Sequence, residues 1–275
     1  MLSINTNYSS ANATKHVKHA HLNKNSSIEK LSTGERINAA KDDPAGLAIS
    51  MRLSAQVQGL KKASENIAVH LNYANALMNT YDEMNSILIR MRELTLQGSN
   101  GTLDQGSKDN IAEELGQLAE QMNTLTEVKI NALTPLNDTN IIKLQIGANI
   151  GNEFTSAPYS EALKDIFSDS PFFISDAKTR FEAYGGSFLQ NIDEAITLIS
   201  SGNQYMGEVY NTLNHTLRNI TTQSISLEIS NGNIKDTDLA LETTKLAKHQ
   251  IAEQAGIAIA AQANASATIV LQLVN

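Results

Sequence analysis

QAGIAIAAQANASATIVLQLVN, residues 254–275, contains no charged residue, and the last one before it is Glu253. Ala255, Ala258, Ala261, Ala265, Ile269 and Leu273 recur at helical spacing, while Ile257, Ile259, Val270 and Leu271 fill the other sides. A helix that is apolar nearly all round must be buried, in protein or in lipid. Lipid is the poorer fit. Gln254, Gln262, Asn264, Ser266, Thr268 and Gln272 are scattered along the stretch, and no basic flank follows. Small side chains favour the close approach of other helices, and dispersed amides and hydroxyls can hydrogen-bond across such contacts. Nothing else in one copy of the chain looks able to cover every side of this helix, so the expected cover is other copies.

Composition sets the frame around that stretch. The 275 residues allow one or two domains, with 5% aromatics, no Trp and no Cys. Such a chain suits long helices joined by polar turns better than a thick globular core. Without cysteine there are neither disulfides nor thiolate ligands, and the compartment stays open. The start, MLSINTNYSS, lacks a basic segment followed by an apolar run, so no cleavable signal peptide is expected and export would need another route. Net charge is -8, yet residues 1–62 hold nine Lys/Arg against four Asp/Glu. That basic end has no dense Arg cluster or interleaved aromatics, so a solvated or assembly-facing segment is favoured over nucleic-acid binding.

Moving from the N-terminus, residues 1–30 are rich in Asn, Ser, Lys and His, with a thin apolar pattern of Ile4, Tyr8, Ala11, Val17, Leu22 and Ile28. Alone this segment should be poorly ordered, folding only against something else. His16, His19 and His21 do not read as a metal site, because only His16 and His19 share a helical face and no carboxylate sits at ligand spacing. In residues 31–43 (LSTGERINAAKDD), Gly34 permits a positive-φ turn, and Asp43-Pro44 reads as an N-cap followed by proline at the first helical position. From Pro44, the residues Leu53, Val57, Leu60, Ile67, Leu71, Ala74, Met78, Tyr81 and Leu88 step by threes and fours, with interruptions at Ser64 and Asn85. This is a coiled-coil seam. A helix to Gly98 would be a rod of about 80 Å.

Gly98 to Gly101 should end that helix, with the return at 105–107. Ile111, Leu115, Leu118, Met122 and Leu125 give a second seam, folding back on the first. Ile142, Leu144 and Ile146 alternate with Lys143 and Gln145, which predicts a strand, paired with 129–136 across the Asn137-Asp138-Thr139 turn. Residues 151–175 read as irregular. The third seam runs through Leu189, Ile192, Ile196, Ile199, Met206, Tyr210, Leu213, Leu217, Ile220 and Leu227, with only Asn203 and Ser224 polar. Gly232 marks a pause, and Asp236 or Asp238 can cap the last helix. The fold class is mainly α: a long antiparallel helical coiled-coil bundle with a small β-hairpin near 129–150.

The sequence holds no HExxH, GxxxxGK[ST] or GxSxG pattern. Asp42-Asp43 and Glu113-Glu114 are adjacent carboxylates, but helix neighbours diverge by about 100°, so capping and a solvated face explain them. Asn-x-Ser/Thr triplets are expected in so Asn- and Ser-rich a chain. No enzyme, metal or cofactor is anticipated.

Several of these stretches resemble bacterial flagellin. LSTGERINAAKDDPAGLAIS (31–50) is similar to its N-terminal hallmark, Arg90-Met91-Arg92-Glu93-Leu94 with Gln97 to its first rod signature, and LQIGAN (144–149) to its strand motif. IKDTD (234–238) and QAGIAIAAQAN (254–264) resemble the C-terminal signature. The variable outer region that larger flagellins carry is missing, since only residues 151–176 could hold it. The resemblance implies paired terminal helices, 1–43 and 239–275, lining the channel of a filament, with a rod domain at 44–238 around them. It implies ends that fold on polymerisation, which spreads the ordering cost over a large buried surface.

On that basis Ile4, Tyr8, Ile251, Ala255, Ile259, Ile269 and Leu273 are assembly residues, and the partners are many identical subunits, a flagellar export chaperone and cap or junction proteins. Export through the flagellar type III apparatus would place the chain in the extracellular flagellum, with no nucleic acid and no membrane insertion. Arg90, Leu94 and Glu114 match positions by which some flagellins meet an animal Toll-like receptor, although Ile89 stands where that group commonly has Gln. Alternatively, Arg90 and Glu114 serve subunit contacts. Other readings are a hook–filament junction protein and, in a different class, a membrane-anchored coiled-coil adaptor.

Overall fold

A computed structural model describes residues 7–130, 136, 141–156 and 177–274, with side chains omitted at 177–187 and 267–274. In chain order the elements are α1 (Tyr8–Thr33), α2 (Pro44–Gly98), α3 (Gln105–Thr126), β1 (Ile142–Gln145), β2 (Glu153–Ser156), α4 (Ala177–Lys235) and α5 (Leu239–Val274). They form two compact units, one of residues 1–55 with 225–275 and the other of 56–224.

Local chemistry fixes the helix ends. Gly34 closes α1 in the left-handed region at φ 74°, and its N–H donates to the Lys30 carbonyl at 2.9 Å. Only a residue without Cβ adopts that conformation cheaply. Asp43 Oδ1 accepts the Gly46 N–H at 2.9 Å, capping α2 just before Pro44 as the sequence predicts. Asp238 does the same for α5, accepting the Leu241 N–H at 3.0 Å. The break after α2 is also as expected, although α3 is already helical at Gln105, where the sequence predicts the return. Gly232 does not pause the chain: α4 runs through it to Lys235, at a cost of about 1 kcal/mol relative to alanine.

In the 56–224 unit, α2, α3 and α4 share one core. Tyr81, Met84, Leu88, Met91, Leu94, Leu115, Met122 and Ile199 are fully enclosed there. Most of the expected seam positions are buried, among them Val57, Leu60, Ile67, Leu71, Ala74, Tyr81 and Leu88 on α2, and the inner line slips by one position only locally. On α2, Ala63, Leu77 and Met84 are buried, whereas Ser64, Met78 and Asn85 sit at the margin. On α4 the inner line is Phe188, Ile192, Ala195, Ile199, Gly202, Met206, Val209 and Leu213, an unbroken alternation of fours and threes. Neither Asn85 nor Asn203 interrupts anything. Small residues continue the seam because helices packed at coiled-coil distance need them opposite the larger knobs. Ala112 and Ala119 on α3 are buried for the same reason.

Rim pairs join the helices: Arg92 to Asp193 at 2.7 Å, Asn203 to the Asp82 carboxylate at 2.7 Å, and Arg90 to Glu114 at 2.7 Å. Each is solvent-exposed, so water screens it and it adds little to stability.

The β-hairpin departs from the expected pairing. β1 pairs antiparallel with β2, Ile142 opposite Ser156 and Gln145 opposite Glu153. Its partner therefore comes from the stretch read as irregular, and the turn is 146–152 in place of 137–139. The expected partner, 129–136, lies largely outside the described residues, as does the Asn137-Asp138-Thr139 turn. The turn around 147–151 has its own chemistry: Gly151 takes φ 91°, and the Gln145 amide donates to the carbonyls of Gly147 at 2.8 Å and Asn149 at 2.7 Å. Ala148 then rests on α2 at Gly59, where an added Cβ would lie 2.9 Å from the Ala148 Cβ.

In the other unit, the two connectors are stitched together. The Arg36 N–H donates to Lys235 O at 2.6 Å and the Thr237 N–H to Gly34 O at 2.8 Å. The Arg36 guanidinium reaches the Ile234 carbonyl at 2.6 Å, and Lys235 pairs with Glu35 at 2.6 Å.

The observed seam predicts different outcomes at neighbouring positions. Met84→Ala should cost about 2–5 kcal/mol of stability. Asn85→Ala, which deletes a buried carbonyl oxygen with no hydrogen-bond partner, should stay within about 1 kcal/mol. Denaturant unfolding of the two variants against the parent chain checks this.

Candidate assembly surface

The terminal helices α1 and α5 pack along their length. The shielded positions on α1 are Ser10, Ala13, Val17, Ala20, Lys24, Ser27 and Leu31, stepping by threes and fours. Those on α5 are Glu242, Leu246, His249, Glu253, Gly256, Ala260 and Ala263, with the same alternation. This coiled-coil seam is made mostly of small and polar side chains. At Gly256 the backbones come close: a Cβ there would lie 2.7 Å from Val17 Cγ2.

Polar bonds fix the register. Ser27 Oγ donates to Glu242 Oε1 at 2.7 Å, with both residues buried, and Lys245 Nζ holds the other oxygen at 2.9 Å. Glu253 is clasped by Lys24 Nζ at 2.7 Å and His21 Nδ1 at 2.7 Å. At the far end the Asn7 amide donates to Ala263 O at 2.9 Å. Burial pushes the Glu242 carboxyl up, but the Ser27 hydroxyl and the Lys245 ammonium outweigh it, and the net shift is downward. The Lys24 ammonium and His21 hold the Glu253 carboxyl below its usual range.

With the seam so occupied, the large apolar side chains are left outside. Ile251 is 67% exposed, Ile257 55% and Ile259 58%, and Leu239, Leu241, Tyr8, Leu22 and Ile28 are exposed too. Isolated surface leucines and isoleucines are ordinary, whereas a concentration of them on one helix marks an interaction surface. Among the described residues no helix is long and apolar enough to cross a membrane.

Of the residues singled out by sequence, Tyr8, Ile251, Ala255 and Ile259 are exposed. Ile269 and Leu273 lie on the α5 backbone with side chains outside the described set, and Ile4 falls outside the described residues. Arg90 and Glu114 are brought together on the surface of the α2–α4 bundle, where the salt bridge raises the Arg90 pKa. Leu94 is 2% exposed and belongs to that bundle's core, apart from the surface pair. Among the described residues no group of His, Asp or Glu could hold a metal. The seam residues Ser27, Glu242, Lys24 and Glu253 escape a reading of the sequence. Their signal is the seven-residue repeat of small residues at Ala13, Ala20 and Ser27, which a search for large apolar side chains passes over.

Comparison with known proteins agrees at both ends. Residues 4–139 match the bacterial flagellin N-terminal helical region, and residues 189–274 match the bacterial flagellin C-terminal helical region. The chain is 34% identical to a flagellin of Halalkalibacterium halodurans over 90% of each chain. It is 30% identical to a Bacillus subtilis flagellin over 98% of this chain and 99% of that one. The solved structure of a protein described as a flagellar hook-associated protein from Vibrio parahaemolyticus superposes with TM-score 0.61 at 15% identity, covering 71% of this chain and all of that one. This last likeness concerns the fold.

The two lowered carboxylates give a pH dependence. Each contributes stability in full above its unfolded value, near 4.5, and loses it as pH falls through the lower folded value. In any state where α1 and α5 are paired, amide exchange across Leu239–Val274 should therefore accelerate below about pH 4.5. The double variant Glu242→Gln, Glu253→Gln should flatten that acid response, and an unchanged profile would contradict the assignment.

Proposed function

The chain belongs to the bacterial flagellin family, and from that premise we propose how its surfaces serve a filament. It is a structural subunit of the bacterial flagellar filament, an extracellular assembly that drives motility. The exposed apolar sides of α5 carry this reading to the level of residues. Ile251, Ala255 and Ile259 on α5, with Tyr8 on α1, meet the same helices of neighbouring copies, and Ile4, Ile269 and Leu273 extend the contact. The helices of 1–43 and 239–275 act as the inner tube and 44–238 as the rod around it.

What supports the division of labour is the polar seam. Because α1 meets α5 through alanine, glycine, serine and ion pairs, the large hydrophobic side chains remain available to other subunits. The ends fold fully only on polymerisation, since a lone subunit would hold Ile251, Ile257 and Ile259 in water. Export proceeds unfolded through the flagellar secretion route, assisted by a flagellar export chaperone, and cap and junction proteins receive the subunit. The protein performs no catalysis.

A secondary role rests on the Arg90–Glu114 pair. Both groups face solvent and present a charged patch to the animal flagellin receptor, whereas Leu94 is enclosed in the core and offers that receptor no surface. In a filament the same patch serves subunit contacts.

Deleting 254–275 should leave a folded 56–224 unit, judged by circular dichroism and cooperative unfolding, that fails to elongate filament seeds in electron micrographs. Normal filaments from the truncated chain would overturn the assembly assignment. Replacing Ile259 by Asp should act in the same direction. For the receptor, Arg90→Ala combined with Glu114→Ala should weaken activation of receptor-bearing reporter cells about tenfold, equivalent to about 1.4 kcal/mol. Unaltered activation would remove these residues from that contact.

A further inference from the structure

The sequence contains Asn-Gly pairs at Asn100-Gly101 and at Asn231-Gly232. Their surroundings differ in every respect that matters for amide chemistry. Asn100 lies in the exposed turn between α2 and α3. Its side-chain Oδ1 accepts the Thr102 N–H at 3.2 Å and the Thr102 hydroxyl at 3.0 Å. The N–H of the intervening Gly101 donates to no acceptor among the described residues, and nothing lies within 4 Å of where a Gly101 Cβ would be. Asn231 sits inside α4, half-buried, with its amide donating to Ser54 Oγ at 3.1 Å. Gly232 follows it within the helix, where its N–H belongs to the helical ladder.

We propose that Asn100 is a site of self-catalysed deamidation, a chemical modification programmed by the turn. Base removes the proton of the Gly101 N–H, and that nitrogen attacks Cγ of Asn100. Negative charge develops on Oδ1, where the two Thr102 donors already point, an arrangement of the oxyanion-hole kind. The Cγ–Nδ2 bond breaks, and the amide nitrogen takes up a proton and leaves as ammonia. A five-membered succinimide remains. Water then opens it at either carbonyl. Breaking the bond from Gly101 N to Cγ leaves an aspartate side chain on a normal backbone. Breaking the bond from the same nitrogen to the main-chain carbonyl carbon leaves an isoaspartyl linkage, in which the chain runs through the side chain. No oxidant or reductant is required.

Glycine matters at the second position because any Cβ would crowd the attacking nitrogen. The product adds one negative charge to a chain at -8, close in sequence to the Asp104 that precedes α3. In the isoaspartyl form it also lengthens the backbone of the α2–α3 connection by one carbon. The helix denies Asn231 the same route, since its following N–H is hydrogen-bonded and its own amide is engaged.

The test is incubation of the purified full-length chain at mildly alkaline pH, followed by peptide mapping with mass spectrometry and enzymatic methyl-labelling of isoaspartyl groups. Asn100 should convert at least about tenfold faster than Asn231, a barrier difference of about 1.4 kcal/mol, and the label should fall on the peptide containing residue 100. In denaturant the two sites should converge. Gly101→Ala should slow conversion at Asn100 while leaving helical content unchanged, and Thr102→Val should slow it by removing one of the two donors. Equal rates at the two sites in the folded chain, or an intact Asn100 beside a converted Asn231, would overturn the proposal.

Discussion

The structure depends on how α1 and α5 spend their side chains on each other. A pairing of two long helices ordinarily consumes the largest apolar residues available, because their burial supplies most of the stabilisation. Here the contact is built from Ala13, Ala20 and Ser27 against Gly256, Ala260 and Ala263, with Glu242 and Glu253 held by hydroxyl and ammonium groups. Small residues let the backbones approach, and the buried carboxylate fixes which residue faces which. The isoleucines are spared. A lone chain consequently carries an exposed hydrophobic surface on its last helix.

The bundle of residues 56–224 follows the opposite rule. Its core is filled by Tyr81, Met84, Met91, Leu115 and Met122, and its charged groups lie on the rim in exposed pairs. Such a unit has no need of other copies to close its interior. Methionine suits the irregular gaps left where three helices meet at changing spacing. Gly59 shows how closely the parts are fitted, since the hairpin turn reaches α2 only where that helix lacks a side chain.

Much of this was legible in the residues. Gly34, the Asp43-Pro44 pair and Asp238 mark helix ends by stereochemistry that acts locally, and each does what its residue type dictates. The three helical seams could be seen as a repeat, and most of their positions were read in phase, Ile192, Ile199, Met206 and Leu213 on α4 among them. Local slips put Met78 for Leu77 and Leu189 for Phe188, and a packed interior also requires Ala63, Ala195 and Gly202, which a search for large apolar residues ignores. The strand at Ile142–Gln145 was legible, but its partner was not, for a related reason. A Gly-containing turn at 147–151 competes with the Asn137-Asp138 signal, and hydrogen bonds from Gln145 to two carbonyls, invisible in a pattern of hydrophobicity, stabilise it. On α5 the apolar character of Ile251, Ala255 and Ile259, which the structure leaves exposed, shows in the residues, but the polar register on the other side of the helix does not.

That register bears on how assembly can remain ordered. If isoleucines also lined the α1–α5 seam, the intramolecular and intermolecular contacts would be interchangeable, and a subunit could satisfy its helix with any apolar stripe it met. Polar and small residues make the two contacts chemically distinct. An α5 helix slid one turn along α1 would bring Glu242 away from Ser27 and Glu253 away from Lys24, leaving both carboxylates without their partners. The outer face instead carries the exposed Ile251, Ile257 and Ile259, which have no polar groups to set a register. Specificity is thereby placed inside the α1–α5 pair, and exposed apolar area is left outside it.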